Sequence, residues 1–429
     1  MKVETKPNFL NLTDPLLVDK SIQERRWVDY DTRGQNLNSG GWKYLKMIDN
    51  NAIAVLEDSY LIIEFEILKK DKSRFEDKDL IALVNNGLMH CFDGAQLMLG
   101  NKEIESYGRS VGNMTTAFGY LMNSYGFSQA EGLCQFWSLD STKTTVYNDN
   151  SGFAARHDLL FKNNVAASKG TCKTIIPFNN LFGFKGKVIF GLDASINLNR
   201  KISHDPIYRA SSIDEADLTL NTLVWRIPTL VLAPQEETHL YNLTMKGTKI
   251  EVGFLSRRGE EIPVPQTQFF SWNFNLSGNE RLMGLVLFFQ TGSNDNQEKN
   301  SALYNHCNLT NARVTVNSHR FPGIDLKCNF QNNEYMECYK RYIDFRKRFV
   351  DGSPEIDPVE FKILYPLFVF DLSEQEGRIT GNALSATIEC NFSSNVSANT
   401  TAYALLLSDK MLQFEFANSD NQNVMKFLF

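Results

Sequence analysis

From Leu303 to Phe321 the chain reads LYNHCNLTNARVTVNSHRF, with apolar Ala312, Val314 and Val316 alternating with polar Asn311, Arg313 and Thr315. A period of two is what a strand with one dry and one wet face requires. The polar turn Asn317-Ser318-His319 breaks the run, and Phe321-Pro322-Gly323 closes it. The same pattern stands 217 positions upstream, in HCFDGAQLMLGNKEI from His90. There Ala95, Leu97 and Leu99 take the dry positions, Gly100-Asn101-Lys102 forms the turn, and Ile104 answers Phe321. A His-Cys pair precedes each strand, one residue out of register. The pattern predicts one β-module built twice.

The remaining hydropathy fits that plan. Ala52 to Leu68 gives two strand-like runs, the second with Ile63, Phe65 and Ile67 set against Glu64 and Glu66. Further strands are expected in TIIPF, KVIFGL and SINLN between Thr174 and Asn199, and over Leu218–Leu232, Leu240–Leu255 and Thr267–Leu276. Others are expected over Arg281–Phe289, Phe361–Leu372, Ala386–Phe392 and Tyr403–Phe416. Helical spacing occurs twice, at Val111, Met114, Phe118 and Leu121, and at Tyr335, Cys338, Tyr339, Tyr342 and Phe345. At the offset of 217, Phe118 and Tyr125 map onto Tyr335 and Tyr342. Ser21 to Tyr30 is short and mixed. Gly126 to Lys169 reads as a long surface loop and Ser203 to Ala216 as a second loop.

The fold class expected is all-β: two tandem eight-stranded jelly-roll β-sandwiches, a double jelly roll, with short helical excursions. Residues 1–20 read as an N-terminal arm, 21–234 as the first jelly roll, and 235–429 as the second with a C-terminal tail. Pro234 to Thr238 marks the boundary between them.

Composition narrows the function. The 429 residues are 42% hydrophobic and 22% charged, as in a folded protein, and 31 Phe suit strands. A net charge of −6 argues against a surface given over to nucleic acid. No apolar run approaches the ~20 residues that span a bilayer. Met1 to Lys20 lacks the order of a signal peptide, so secretion is not expected. Seven Cys are scattered, odd in number and without a CxxC pair, which reads as buried thiols. Sequons such as those at Asn242, Asn275, Asn308, Asn391, Asn395 and Asn399 are then expected to stay unmodified.

No catalytic constellation emerges. The six His include no HExxH, and His90 and His306 sit before equivalent strands in structural roles. Gly108-Arg-Ser-Val-Gly112 resembles a phosphate loop only superficially and is read as a turn. Cys134 lacks a His partner in its own module. Asp193 and Asp371 are read as strand-end turn residues. No catalytic, metal or cofactor site is assigned, and no small-molecule substrate. Basic residues remain: Arg346, Lys347 and Arg348 beyond the tyrosine-rich helix, and Arg25 and Arg26 near the start, are the candidates for facing DNA, contacting phosphates without reading bases.

The run Leu303 to Pro322, the tyrosine-rich segment after it, and YPLFVFDLSEQEGRIT from Tyr365 resemble the C-terminal half of double jelly-roll major capsid proteins. The kin are those of Polinton or Maverick elements, adintoviruses and virophages. Asn85-Asn86-Gly87-Leu88 leading into the strand and the Gly100-Asn101-Lys102 turn resemble that family's first half. The resemblance implies a homotrimer with six jelly rolls about its axis, tiling an icosahedral shell around DNA. Its partners would be neighbouring trimers, penton and minor capsid proteins, and packaged DNA non-specifically at most. Its location would be the virion, assembled inside the host cell.

The apolar C-terminal tail, with Met425, Phe427, Leu428 and Phe429, is expected to dock on a neighbouring subunit or a minor capsid protein. The alternative is a two-domain jelly-roll carbohydrate- or receptor-binding protein, with Trp27, Trp42, Trp137 or Trp272 stacking on sugars. A hydrolase on two jelly rolls would need paired carboxylates in a cleft.

Overall fold

Ala312, Val314 and Val316 are buried on one face of a strand, as are Ala95, Leu97 and Leu99 in its upstream counterpart. A computed structural model describes residues 21–47, 52–162, 164–185, 188–276, 280–317, 319–373, 384–419 and 422–427. Its first half contributes β1 (Ile22–Asp31), β2 (Gly41–Met47), β3 (Ile53–Ala54), β4 (Tyr60–Lys69), β5 (Ile81–Leu83), β6 (Phe92–Leu99) and β7 (Lys102–Tyr107). These are followed by β8 (Thr171–Pro177), β9 (Ala194–Arg200), β10 (Ile207–Arg209) and β11 (Ala216–Leu232). The second half contributes β12 (Lys249–Pro263), β13 (Phe269–Leu276), β14 (Glu280–Thr291), β15 (Leu309–Val316) and β16 (His319–Phe321). It ends with β17 (Phe368–Asp371), β18 (Leu384–Phe392), β19 (Thr400–Ser419) and β20 (Gln422–Phe427).

Antiparallel pairing sets β1-β11-β4-β8 in one sheet and β2-β9-β6-β7 in another; the second half gives β12-β19-β14-β17 and β13-β18-β15-β16. Leaving aside the short β3, β5 and β10 and the terminal β20, each half has eight strands among the described residues. In each, one sheet runs first, last, third, sixth and the other second, seventh, fourth, fifth. That repeated order is the jelly roll, twice. Even a defect repeats. Where β6 meets β9 the register skips Asp93, and where β15 meets β18 it skips Thr310, 217 positions later. A bulge bends the strand it interrupts, so the two modules share a curvature as well as an order.

Helices fill the connections: α1 (Val111–Met122), α2 (Tyr125–Gln129), α3 (Ser151–His157), α4 (Phe178–Leu181), α5 (Pro234–Met245), α6 (Met336–Arg346) and α7 (Pro358–Ile363). One continuous apolar core runs from Leu45 in β2 to Phe414 in β19, so the modules are not separately packed.

Several expectations change. Ser21 to Tyr30 is mostly strand β1, paired with β11. Leu240 opens no strand: it lies in α5, whose Pro234 start and Glu236-Glu237 first turn are helix-starting chemistry. Phe361 belongs to α7, capped by Asp357 and Glu360, and only Phe368–Asp371 of its predicted strand pairs. In KVIFGL, Ile189 exchanges backbone hydrogen bonds with Ala54 at 2.8 and 2.9 Å, and the described residues of that segment form no strand. Ser203 to Ala216 contains β10, paired with β5. Gly126 to Lys169 is no mere surface loop, since it carries α2 and α3 and buries Trp137, Phe153, Phe161 and Arg156. Tyr125 is 61% exposed while Tyr342 is buried, so the offset that aligns the strands does not align the helices. Residues 1–20 lie outside the described residues.

Candidate functional site

The polar chemistry of this chain gathers where the two modules meet. Helix α1 of the first module is buried on almost every face. Its Tyr120 hydroxyl donates to the Ala302 carbonyl at 2.9 Å and accepts from Asn85 Nδ2 at 3.2 Å. Its ring packs on Trp137, Tyr304 and Tyr365, with centroids 5.2, 5.8 and 4.6 Å away. The last carbonyls of any helix lack partners within it. Here the second module supplies them: Tyr342 Oη on α6 donates to the Tyr120 carbonyl at 2.7 Å, and Arg346 Nη2 donates to the Asn123 carbonyl at 3.2 Å. A cation at a helix C-terminus is also favoured by the helix dipole.

Buried charges sit beside this contact. Asp140 and Arg156 form a fully buried ion pair at 2.7 Å, and Asn300 of the second module donates to Asp140 at 3.0 Å. Tyr365 Oη donates to the Asp140 backbone carbonyl at 2.7 Å. Burying such a pair costs desolvation, which the hydrogen bonds from Arg156, Asn150 and Asn300 to the Asp140 carboxylate offset. Glu105 accepts from the backbone N–H groups of Gly183 at 2.8 Å and of Arg257, from the other module, at 2.9 Å. Burial nevertheless pushes its carboxyl up to about 7. The Arg257 guanidinium lies over the Phe118 ring, 3.6 Å from its centroid. Glu355 accepts from Trp137 Nε1 at 3.1 Å, and burial raises its carboxyl to about 8.

The sequence-predicted site residues fare differently. Arg346 is 1% exposed and donates to the Gly352 and Asn123 carbonyls. Its guanidinium is committed to the fold, which corrects its reading as DNA-facing. Lys347 is exposed. Arg348 is exposed but paired with Asp371 at 2.5 Å. Arg25 pairs with Asp58 at 2.7 Å and Arg26 with Glu24 at 2.6 Å, so acids already stand beside both. Met425 and Phe427 belong to β20, which adds to β19 as a further strand; Leu428 and Phe429 lie outside the described residues. Of the sugar-stacking candidates, Trp137 and Trp272 are buried, while Trp27 is 49% exposed and Trp42 37%. The sequence offered no cue to the module contact, because its members are more than a hundred residues apart and follow no shared period.

A cavity of about 260 Å³ in the second module is lined by Tyr304, His306, Cys307, Asn308 and Ser394–Ser397, among others, with Lys143 the one lining residue from the first module. Its chemistry does not suit nucleophilic catalysis. Burial lowers the His306 imidazole to about 4 and raises the Cys307 thiol to about 12, so at neutral pH the ring is uncharged and the thiol protonated. His306 stacks on Phe330 at 4.4 Å and its Nδ1 accepts from the Asn308 N–H. His90 is likewise held at about 4 by burial, 3.3 Å from Thr116 Oγ1. Among the described residues, no three His, Cys, Asp or Glu side chains converge as a metal would need. Among the same residues, no helix is long and apolar enough to cross a membrane.

Comparison with known proteins agrees with the strand order. The family model described as a double jelly roll-like domain matches residues 125–412. No curated protein matches the chain in sequence. The structure of the Sputnik virophage superposes with a TM-score of 0.58 at 11% identity, covering 99% of this chain and 93% of that one. The mavirus major capsid protein gives 0.54 at 10%, covering 98% and 93%. The PBCV-1 virus capsid gives 0.52 at 11%, covering 97% and 100%. At such identities the likeness is one of fold.

Proposed function

Because the chain belongs to the double jelly roll-like domain family, we propose that it is the major structural subunit of an icosahedral viral shell, acting through shape and association and not through catalysis. The observation that carries this reading is the repeated strand order, the two modules being joined by buried hydrogen bonds. Two like modules fixed in one body give three copies of the chain six similar outward faces. Cyclic symmetry then fills a hexagonal lattice position from one gene. The resemblance to a mavirus major capsid protein and to a PBCV-1 capsid supports the same reading.

On this reading trimers contact neighbouring trimers, penton and minor capsid proteins, and enclose DNA within the virion. The exposed Lys347, with Arg348, Arg25 and Arg26 at their acid partners, contributes at most non-specific phosphate contact. The C-terminal strand β20 and the residues after it tie one subunit to another, as an edge strand invites. Removing residues 425–429 is expected to impair shell assembly while leaving the chain folded; normal shells from the shortened chain would refute that role.

The deciding experiment is the mass of the purified chain in dilute solution. A species of three 48.9 kDa chains, stable to dilution and hexagonal in outline by electron microscopy, is expected. A monomer at every concentration would remove the shell reading and favour ligand binding through exposed aromatics such as Trp27.

A further inference from the structure

Two of the seven cysteines are neighbours in space. Cys328 and Cys338, both buried, hold their Sγ atoms 2.8 Å apart, nearer than sulfurs that merely pack. The backbone builds this approach. The Cys328 N–H donates to the Thr310 carbonyl at 2.9 Å and so ties that residue to β15. Asn329 and Glu334 then exchange backbone hydrogen bonds at 2.9 and 2.8 Å, doubling the chain back toward α6. Phe330 stacks against Tyr335 across the same turn, with centroids 5.7 Å apart. Cys338 follows in the first turn of α6 and faces Cys328.

We propose that Cys328 and Cys338 form an oxidation-sensitive pair that closes to a disulfide when it meets a small-molecule disulfide such as oxidised glutathione. The Cys328 thiolate attacks one sulfur of the oxidant, forming a mixed disulfide and releasing one thiol. Cys338 then loses its proton and displaces the second thiol as the Cys328–Cys338 bond forms. Two protein thiols are oxidised, one disulfide is reduced, and the two thiol protons leave on the two released thiols. The order of attack follows the local chemistry. The hydrogen bond from Cys338 holds the Cys328 thiol below its ordinary value, and the same contact pushes Cys338 up.

The bond would staple the start of α6 to the segment after β16. The other end of α6 carries Tyr342 and Arg346, which cap α1 across the module contact. A shell built in reducing surroundings and released into oxidising ones would thus be hardened within the second module, at the helix that reaches the module contact. That consequence rests on the shell reading; the pairing of the two thiols does not.

The full chain is exposed to oxidised glutathione both as folded protein and during refolding, then acid-quenched, alkylated, digested and mapped by mass spectrometry. The expected result is one cross-linked peptide joining Cys328 to Cys338, two hydrogens lighter than the reduced pair, with the remaining cysteines alkylated. The thermal midpoint of the oxidised chain should exceed that of the dithiothreitol-treated chain, and Cys338→Ser should abolish the difference. Alkylation of both thiols after both treatments, bonding of Cys328 to another cysteine, or a redox shift that persists in Cys338→Ser would overturn the proposal.

Discussion

The Tyr342 hydroxyl, on α6 of the second module, donates at 2.7 Å to the carbonyl of Tyr120, in the last turn of α1 of the first. One module thus completes the helix of the other. Removing that hydroxyl leaves a buried carbonyl without its donor, so Tyr342→Phe should cost about 1–3 kcal/mol with the ring packing intact. Chemical denaturation checks it; a loss below about 0.5 kcal/mol would mean that another group satisfies Tyr120.

Neighbouring cations on one helix end should behave in opposite ways. Arg346→Gln should destabilise the chain by about 2 kcal/mol or more, since two carbonyls lose a charged donor. Lys347→Gln, on the exposed side, should stay within about 0.5 kcal/mol. Paired denaturation curves decide this. Equal effects would sink the distinction between a committed and an exposed charge.

Glu355 gives the chain a pH dependence with a definite sign. Its folded carboxyl is raised from 4.5 to about 8 by burial, so the folded state binds the proton more tightly than the unfolded. The stability this contributes is fully present below about 4.5 and is lost as pH rises through about 8. Each pH unit in that window costs up to about 1.4 kcal/mol. Glu105, raised to about 7, adds a slope of the same sign that ends earlier. His90 and His306, held at about 4 by burial, give the opposite slope below about 6.5. It is therefore from pH 6.5 to 8 that thermal midpoints should fall, and Glu355→Gln should flatten that fall while keeping the Trp137 bond. A profile that rises across that range, or that Glu355→Gln leaves unchanged, would contradict this assignment.

Gly183 lies where the first module meets the backbone of the second. A Cβ added there would collide with the Leu255 carbonyl oxygen, and backbone cannot step aside as a side chain can. Gly183→Ala should lower stability by about 1–3 kcal/mol or displace the junction enough to disturb the Glu105 contacts. A thermal midpoint equal to that of the unsubstituted chain would show that the modules can shift apart freely.

What the chain discloses on its own is whatever depends on near neighbours. The alternation at Ala312, Val314 and Val316, the turn at Gly100, and the repeat at offset 217 are properties of short windows, since a strand's two faces are set every second residue. From these, two β-modules, most of their strands and the double jelly roll were legible. The helix in place of a strand at Leu240 was partly legible too, in Pro234 and its acidic first turn. Tertiary structure alone decided the rest. Arg346 reads as one more cation in a basic run until the end of α1 offers it the Asn123 carbonyl from 223 positions away. Asp140 and Arg156 look like loop residues until Asn300 and Tyr365 close over them. Cys328 and Cys338 have no CxxC spacing, and only the Asn329–Glu334 turn brings them together. Burial and partnership depend on which distant segments fold onto a residue, and no local period encodes that.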